Sequence, residues 1–187
     1  MVLEGVDVSV FQGNINWTAV ANGQGISFAY IKTTESNNTT DRKFTVNWAN
    51  CLAAGIQRGP YHYFHPDVDA TDQTNHFLTV VRDTTSGFQG TDIAPALDIE
   101  EPLHGVSQTD YINGIQTWLN VVQAPPPPDG DGLGVPPVIY TNRITWNTLG
   151  NPTQFTGYEL WIAEWGVKVP SLFGGWTNWK YWQHSLC

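Results

Sequence analysis

The chain has 187 residues, with nine Trp, seven Tyr and eight Phe but only 13% charged residues and a net charge of −9. That length allows one domain with a sizeable core, and the negative charge argues against nucleic acid or an anionic membrane surface as partner. No apolar run approaches the roughly 20 residues needed to span a bilayer, and two cysteines, Cys51 and Cys187, can pair but neither imply a disulfide framework nor supply a metal set.

The N-terminus, Met-Val-Leu-Glu-Gly-Val-Asp, does not read as a signal peptide. Gly5 to Phe11 reads as a strand, and Asn14 to Asn22 as a short helix with Asn16 as its cap. Ile26 to Thr33 is a second strand, followed by a helix from Asp41 to Ala54 that stops near Gly55. Arg58 to His65 is a third strand, Asp69 to Arg82 a helix, Ala94 to Glu100 a fourth strand and Thr109 to Val122 a helix. Ala124 to Gly134 (APPPPDGDGLG) reads as a surface loop. Pro136 to Thr141 is a fifth strand, and Tyr158 to Trp165 and Trp179 to Ser185 are later strands with little helix between them. Strands with continuous apolar runs alternating with helices predict a parallel sheet covered by helices. The expected fold class is α/β in a single domain, residues 1–187: an irregular β/α barrel of five βα units followed by further strands, with an open doubly wound sheet as the alternative.

In parallel β/α barrels the chemistry lies at the C-terminal ends of the strands. The sharpest signal there is Ala96-Leu97-Asp98-Ile99-Glu100-Glu101. Alternation along a strand turns Leu97 and Ile99 one way and Asp98 and Glu100 the other. Two carboxyls crowded at the end of a buried strand cannot both ionise freely, which keeps one protonated beside a charged neighbour. That is the equipment of glycosidic hydrolysis. Asp7 interrupts an apolar strand: Val6, Val8 and Val10 share one face, and Asp7 and Ser9 point the other way, toward the same hollow. Tyr61 and Tyr63 share the inward face, whereas His62 between them faces outward and reads as a hydrogen-bonded packing residue. Trp165 offers a ring for the apolar face of a pyranose, and Tyr140 stands at the end of the fifth strand. Glu35 is either an acid near the site or the partner of Lys32, holding the site in shape.

These residues, taken together, resemble the glycoside hydrolase family 25 lysozymes (Chalaropsis-type muramidases). The likeness rests on ordered motifs: G-V-D-V-S with F-Q-G and Trp17, then F-A-Y-I-K-T-T-E, A-G-I-Q-R-G-P-Y-H-Y-F, P-A-L-D-I-E, V-I-Y-T, L-W-I-A-E-W and W-K-Y-W-Q-H-S. They run from Gly5 to about Ser185. The resemblance implies a TIM-like (β/α)5(β)3 barrel and N-acetylmuramidase activity on the β-1,4 bond between N-acetylmuramic acid and N-acetylglucosamine of peptidoglycan. It implies Glu100 as general acid, Asp98 as its partner carboxylate, Asp7 as the strand-one acid, and Tyr61, Tyr63 and Tyr140 as groove-lining rings. Members of the family continue past the W-Q-Y-S-like strand into a glycine-rich segment with a further Asp, which has no counterpart after Ser185 here.

The carboxyl pair is compatible with covalent retention, with inversion, or with attack by the substrate's own 2-acetamido oxygen while Asp98 orients that amide. None of these needs a metal or organic cofactor. The expected partner is the glycan strand of bacterial peptidoglycan, met by a monomer outside the cell or by a phage lysin. A chitin-type β-N-acetylhexosaminide hydrolase and a wall-binding domain without catalysis are the rival readings.

Overall fold

The computed structural model describes residues 3–23, 25–84 and 87–185. In chain order the elements are β1 (Glu4–Val8), a 3-10 turn (Val10–Gln12), α1 (Trp17–Gly23), β2 (Ile26–Glu35), β3 (Thr39–Thr40), α2 (Phe44–Ala53), β4 (Gln57–Tyr63), α3 (Ala70–Asp83), β5 (Ala96–Ile99), α4 (Gln108–Gln123), β6 (Val138–Asn142), α5 (Arg143–Thr148), β7 (Glu159–Ala163) and β8 (Tyr181–Gln183). The sheet runs β1-β2-β4-β5-β6-β7-β8, and every neighbouring pair on that path is parallel. It curls so that Gln183 of the last strand reaches Asp7 of the first, with Nε2 donating to Oδ2 at 3.0 Å.

Alternation along the strands sorts the side chains into two worlds. Outward residues Ala29, Ile31, Leu97, Ile99, Ile139, Leu160 and Ile162 pack under the helices. Inward residues Tyr30, Ala96, Val138, Tyr140 and Trp161 form a separate aromatic-rich filling. Tyr30 stacks on Trp161 with ring centroids 4.4 Å apart. Gly5 and Gly59 face this filling, and a Cβ on either would collide with Phe28 or with Ile93 and Tyr30. Outside the sheet, the fully buried Arg58 pairs with Asp92 at 2.9 Å and lies 3.9 Å over the Trp48 ring.

The sequence-predicted elements are present with shifted ends. The first strand stops at Val8, because Ser9 caps the 3-10 turn by a reciprocal bond with Gln12 rather than extending the ladder. The second runs on to Glu35 and turns back as β3, a hairpin the apolar pattern did not announce. The fourth covers only Ala96–Ile99, so Glu100 is the first residue beyond the ladder. Asn16 does cap α1, accepting from Ala19 N at 3.0 Å, and Asp69 caps α3. Cys51 is buried with a free thiol, and its pairing with Cys187 lies outside the described residues. Among the described residues no helix is long and apolar enough to cross a membrane.

Candidate active site

The hollow at the C-terminal ends of the strands collects Asp7, Asp98 and Glu100. Asp98 is 7% exposed and lies in register between Tyr63 of β4 and Tyr140 of β6. Glu100 stands at the mouth, reachable by solvent yet hemmed in by protein.

The strand end carrying these acids is fixed by four contacts from three stretches of the chain. The Asp98 carbonyl accepts from Phe64 N at 3.0 Å and the Ile99 carbonyl from Thr141 Oγ1 at 2.8 Å. The Glu100 carbonyl accepts from Thr145 Oγ1 at 3.4 Å and the Glu101 carbonyl from Tyr111 Oη at 3.2 Å. Backbone beyond the ladder thus keeps hydrogen-bond partners, as buried main chain requires.

All three acids hold their protons more tightly than usual. Burial is the main cause for Asp98, and the charges of Glu100 and Asp7 add to it while Lys32 opposes. For Glu100 the order is burial, then Glu101, with Lys32 opposing and Asp7 adding. For Asp7 burial wins over the hydrogen bond from Gln183. Crowded carboxyls of this kind share protons and titrate as a set. Asp98 Oδ1 is buried without a hydrogen-bond partner among the described residues.

The expected groove rings stand at different depths in the structure. Tyr61 and Tyr63 face inward and are half-buried. Tyr63 Oη donates to Glu101 Oε1 at 2.6 Å, and Lys32 Nζ lies 4.6 Å from the Tyr63 ring centre. Trp165 is 48% exposed at the rim, and Tyr140 is nearly buried. Glu35 is engaged through both carboxylate oxygens. Its Oε2 accepts from Lys32 at 2.7 Å and its Oε1 meets His65 Nε2 at 3.1 Å, so it braces Lys32 and His65. His62 is fully buried on the outer face, between Thr34 Oγ1 at 2.8 Å and Gln73 Oε1 at 3.2 Å. Gln73 Oε1 can only accept, so Nε2 carries the proton and Nδ1 accepts from Thr34. Burial pushes the His62 pKa down to about 3, which fits a neutral packing residue.

Across the full length the sequence matches the description of one family: the sequence model of Glycosyl hydrolases family 25 fits residues 6–186. The chain belongs to glycosyl hydrolase family 25. It is 34% identical to lysozyme M1 of Streptomyces globisporus over 98% of this chain and 62% of that protein. It is 28% identical to the N,O-diacetylmuramidase of Arthroderma benhamiae over 98% of this chain and 77% of that protein. Its fold superposes with a TM-score of 0.85 on the crystal structure of a bacterial lysozyme from Streptomyces coelicolor, at 33% identity over 99% of this chain and 84% of the other. The chain spans a little under two thirds of lysozyme M1, the first of these relatives.

Several site residues of this family 25 chain escaped the sequence reading. Gln183 is a junction: its Oε1 accepts from Tyr140 Oη at 3.0 Å and Trp165 Nε1 at 3.2 Å while its Nε2 serves Asp7. The W-K-Y-W-Q-H-S motif contains it, but only the curl of the sheet reveals its partners. Phe11 and Ile144, just beyond β1 and β6 in the chain, are large apolar residues left 87% and 81% exposed. Among the described residues no three His, Cys, Asp or Glu side chains come together as a metal-holding group.

Proposed function

We propose that the protein is an N-acetylmuramidase that cleaves the β-1,4 bond between N-acetylmuramic acid and N-acetylglucosamine in bacterial peptidoglycan. Glu100 is the general acid, Asp98 the partner carboxylate and Asp7 a third acid shaping the charge of the site. Residues 1–187 act as one catalytic domain with the (β/α)5(β)3 barrel of the family, a reading supported by the five β–α units and the Gln183–Asp7 bridge, with two of the three later strands among the described residues. Tyr61, Tyr63, Tyr140 and Trp165 line the groove, and the enzyme works as a monomer on walls outside the cell or as a lysin, with no metal or cofactor in the scheme.

The observation that carries this reading is the unpartnered, buried Oδ1 of Asp98 beside a solvent-reachable Glu100. A buried acceptor left without a donor costs about 1–3 kcal/mol, a cost a bound ligand's N–H can relieve. The 2-acetamido group supplies one. Its N–H donating to Asp98 favours the ionised form of Asp98 and leaves the shared proton on Glu100. Glu100 then protonates the departing glycosidic oxygen as the acetamido carbonyl oxygen attacks C1. The bond from C1 to the leaving oxygen breaks, and an oxazolinium ion forms. Ionised Glu100 next takes a proton from water, whose oxygen attacks C1 and reopens the ring, restoring the acid with net retention.

The test is release of reducing ends from purified Gram-positive walls, with mass analysis of the fragments and proton NMR of the first-formed anomer. Glu100→Gln is expected to lower the rate by roughly 10²–10⁴-fold with the fold intact, and Asp98→Asn to be similarly damaging. Cleavage of chitin oligomers but not walls, or wall binding without reducing ends, would overturn the assignment.

A further inference from the structure

A second hollow, of about 420 Å³, opens beyond the ends of β1 and β2. Val10 and Phe11 of the 3-10 turn form one part of its wall, and Asn38, Thr39 and Thr40 of the β3 hairpin another. Lys32 lines it as well, and its Nζ lies 4.6 Å from the centre of the inward Tyr63 ring, so the hollow adjoins the acid-bearing groove. Asp41, which is buried, fixes its shape. One Asp41 oxygen accepts from Val10 N at 2.8 Å, the other accepts from Lys43 N at 2.8 Å, and Asp41 N donates to the Thr33 carbonyl at 2.9 Å. A single side chain thereby ties the turn bearing Phe11 to the segment bearing Arg42.

Cations are scarce here, with eight Lys and Arg against seventeen Asp and Glu. Lys32 is engaged by Glu35, and Lys43 by Asn14 Oδ1 at 2.6 Å. Both carboxylates of the hollow are occupied, Asp41 by two backbone N–H groups and Glu35 by Lys32 and His65. Arg42 is exposed, lines the hollow, and has no hydrogen bond or ion pair among the described residues. Its guanidinium is left for a ligand, and beside it in the same hollow is the exposed ring of Phe11.

We propose that this hollow binds the peptide stem carried by muramic acid, with the Arg42 guanidinium pairing a stem carboxylate and the Phe11 ring covering apolar stem side chains. The proposal rests on the muramidase reading, which places a stem-bearing glycan in the adjoining groove. Uncharged sugar hydroxyls have no need of a free guanidinium, whereas a carboxylate matches its planar fork of donors. The negative charge of Asp7, Asp98 and Glu100 repels a stem carboxylate from the groove itself and favours its seat by the cation at the edge. Asn38, Thr39 and Thr40 are exposed and offer amide and hydroxyl groups to the stem's peptide units.

The test uses solubilised glycan strands whose stems keep free carboxyls, and the same strands after carbodiimide amidation of those carboxyls. The wild type is expected to prefer the free-carboxyl strands. Arg42→Gln is expected to lower that preference about 2–5-fold, the range of an exposed ion pair, through KM rather than kcat. Arg42→Lys, which keeps the charge, is expected to retain part of it. A second readout needs no turnover: nitrogen-15 NMR of the Arg42 side chain during titration with a synthetic acidic stem peptide, and with that peptide amidated. The acidic peptide is expected to shift the Arg42 Nε resonance, the amidated one to leave it, and about 0.5 M sodium chloride to suppress the shift. An equal loss on both kinds of strand in Arg42→Gln, an Arg42 resonance unmoved by the acidic peptide, or the same shift with inorganic phosphate would overturn the proposal. Failure of the wild type to cleave either kind of strand would overturn the muramidase reading instead, and the NMR titration would still judge the hollow.

Discussion

Acidification below neutral pH should weaken this fold through one side chain, His62. The unfolded chain takes up a proton on this histidine near its ordinary value of 6.5, whereas in the folded protein burial holds protonation off until about 3. The unfolded state therefore binds more protons between these values, so the contribution of His62 is complete above pH 6.5 and is lost as pH falls through the window. Each pH unit is worth about 1.36 kcal/mol, which gives about 3 kcal/mol between pH 6.5 and pH 4. That is a large share of the 5–15 kcal/mol typical of a domain. The groups around His62 explain the size: its ring is fully buried, stacked at 5.8 Å on Trp118, with no room for a hydrated cation. The assay is urea unfolding at half-unit steps from pH 7 to 4, for wild type and His62→Gln. The variant keeps a donor and an acceptor but has no proton to gain. It should be less stable at pH 7 and lose stability more gently on acidification, the two slopes differing by one proton. Glu35 and Glu101, whose pKa values are lowered, lose their contribution only below the ordinary carboxylate range. Asp7, Asp98 and Glu100 act in the opposite sense. These effects are common to both proteins. Parallel slopes for wild type and His62→Gln would refute the reasoning.

Three further outcomes follow from other parts of the molecule. Gln183→Leu removes the donor to Asp7 and the shared acceptor of Tyr140 and Trp165; a hydrogen bond to a charged group is worth about 1.5–3 kcal/mol. A fall in stability of that order, with slower wall lysis, is expected by thermal melting and turbidity. Gly5→Ala places a Cβ 2.3 Å from the Phe28 ring, and overpacking should cost about 1–3 kcal/mol in chemical unfolding. The Cys51 thiol is buried and its pKa is pushed up to about 12 by burial, so iodoacetamide at pH 8 should label this residue only in denaturant, as read by peptide mass analysis.

The parts of the site legible in the sequence are those written in short-range alternation. The period of two that turns Asp98 and Glu100 away from Leu97 and Ile99 also separates Tyr61 and Tyr63 from His62, and each of these side chains lies on its expected face. Hydrogen-bond economy within a few residues was readable too, as with Asn16 and Asp69. What stayed hidden depends on residues far apart in sequence. Gln183 meets Asp7 only because the sheet curls, and nothing local marks Glu101 as clamped by Tyr63 rather than solvated. Glu35 was readable only as one of two alternatives, because its choice between ligand and brace depends on where His65 falls. The β3 hairpin was missed because its two threonines are exposed and carry no apolar period.

The carbonyl ties along Asp98 to Glu101 have a consequence for how this protein can be altered. Phe64, Tyr111 and the β6–α5 junction carrying Thr141 and Thr145 are three separate stretches, and their four residues each grip a successive peptide unit of the same short segment. Catalytic spacing is thereby surveyed from all sides, like a mast under stays. Slackening one stay should leave the mast standing and the aim wrong, so lesions at these remote positions would be found by rate measurements long before calorimetry noticed them.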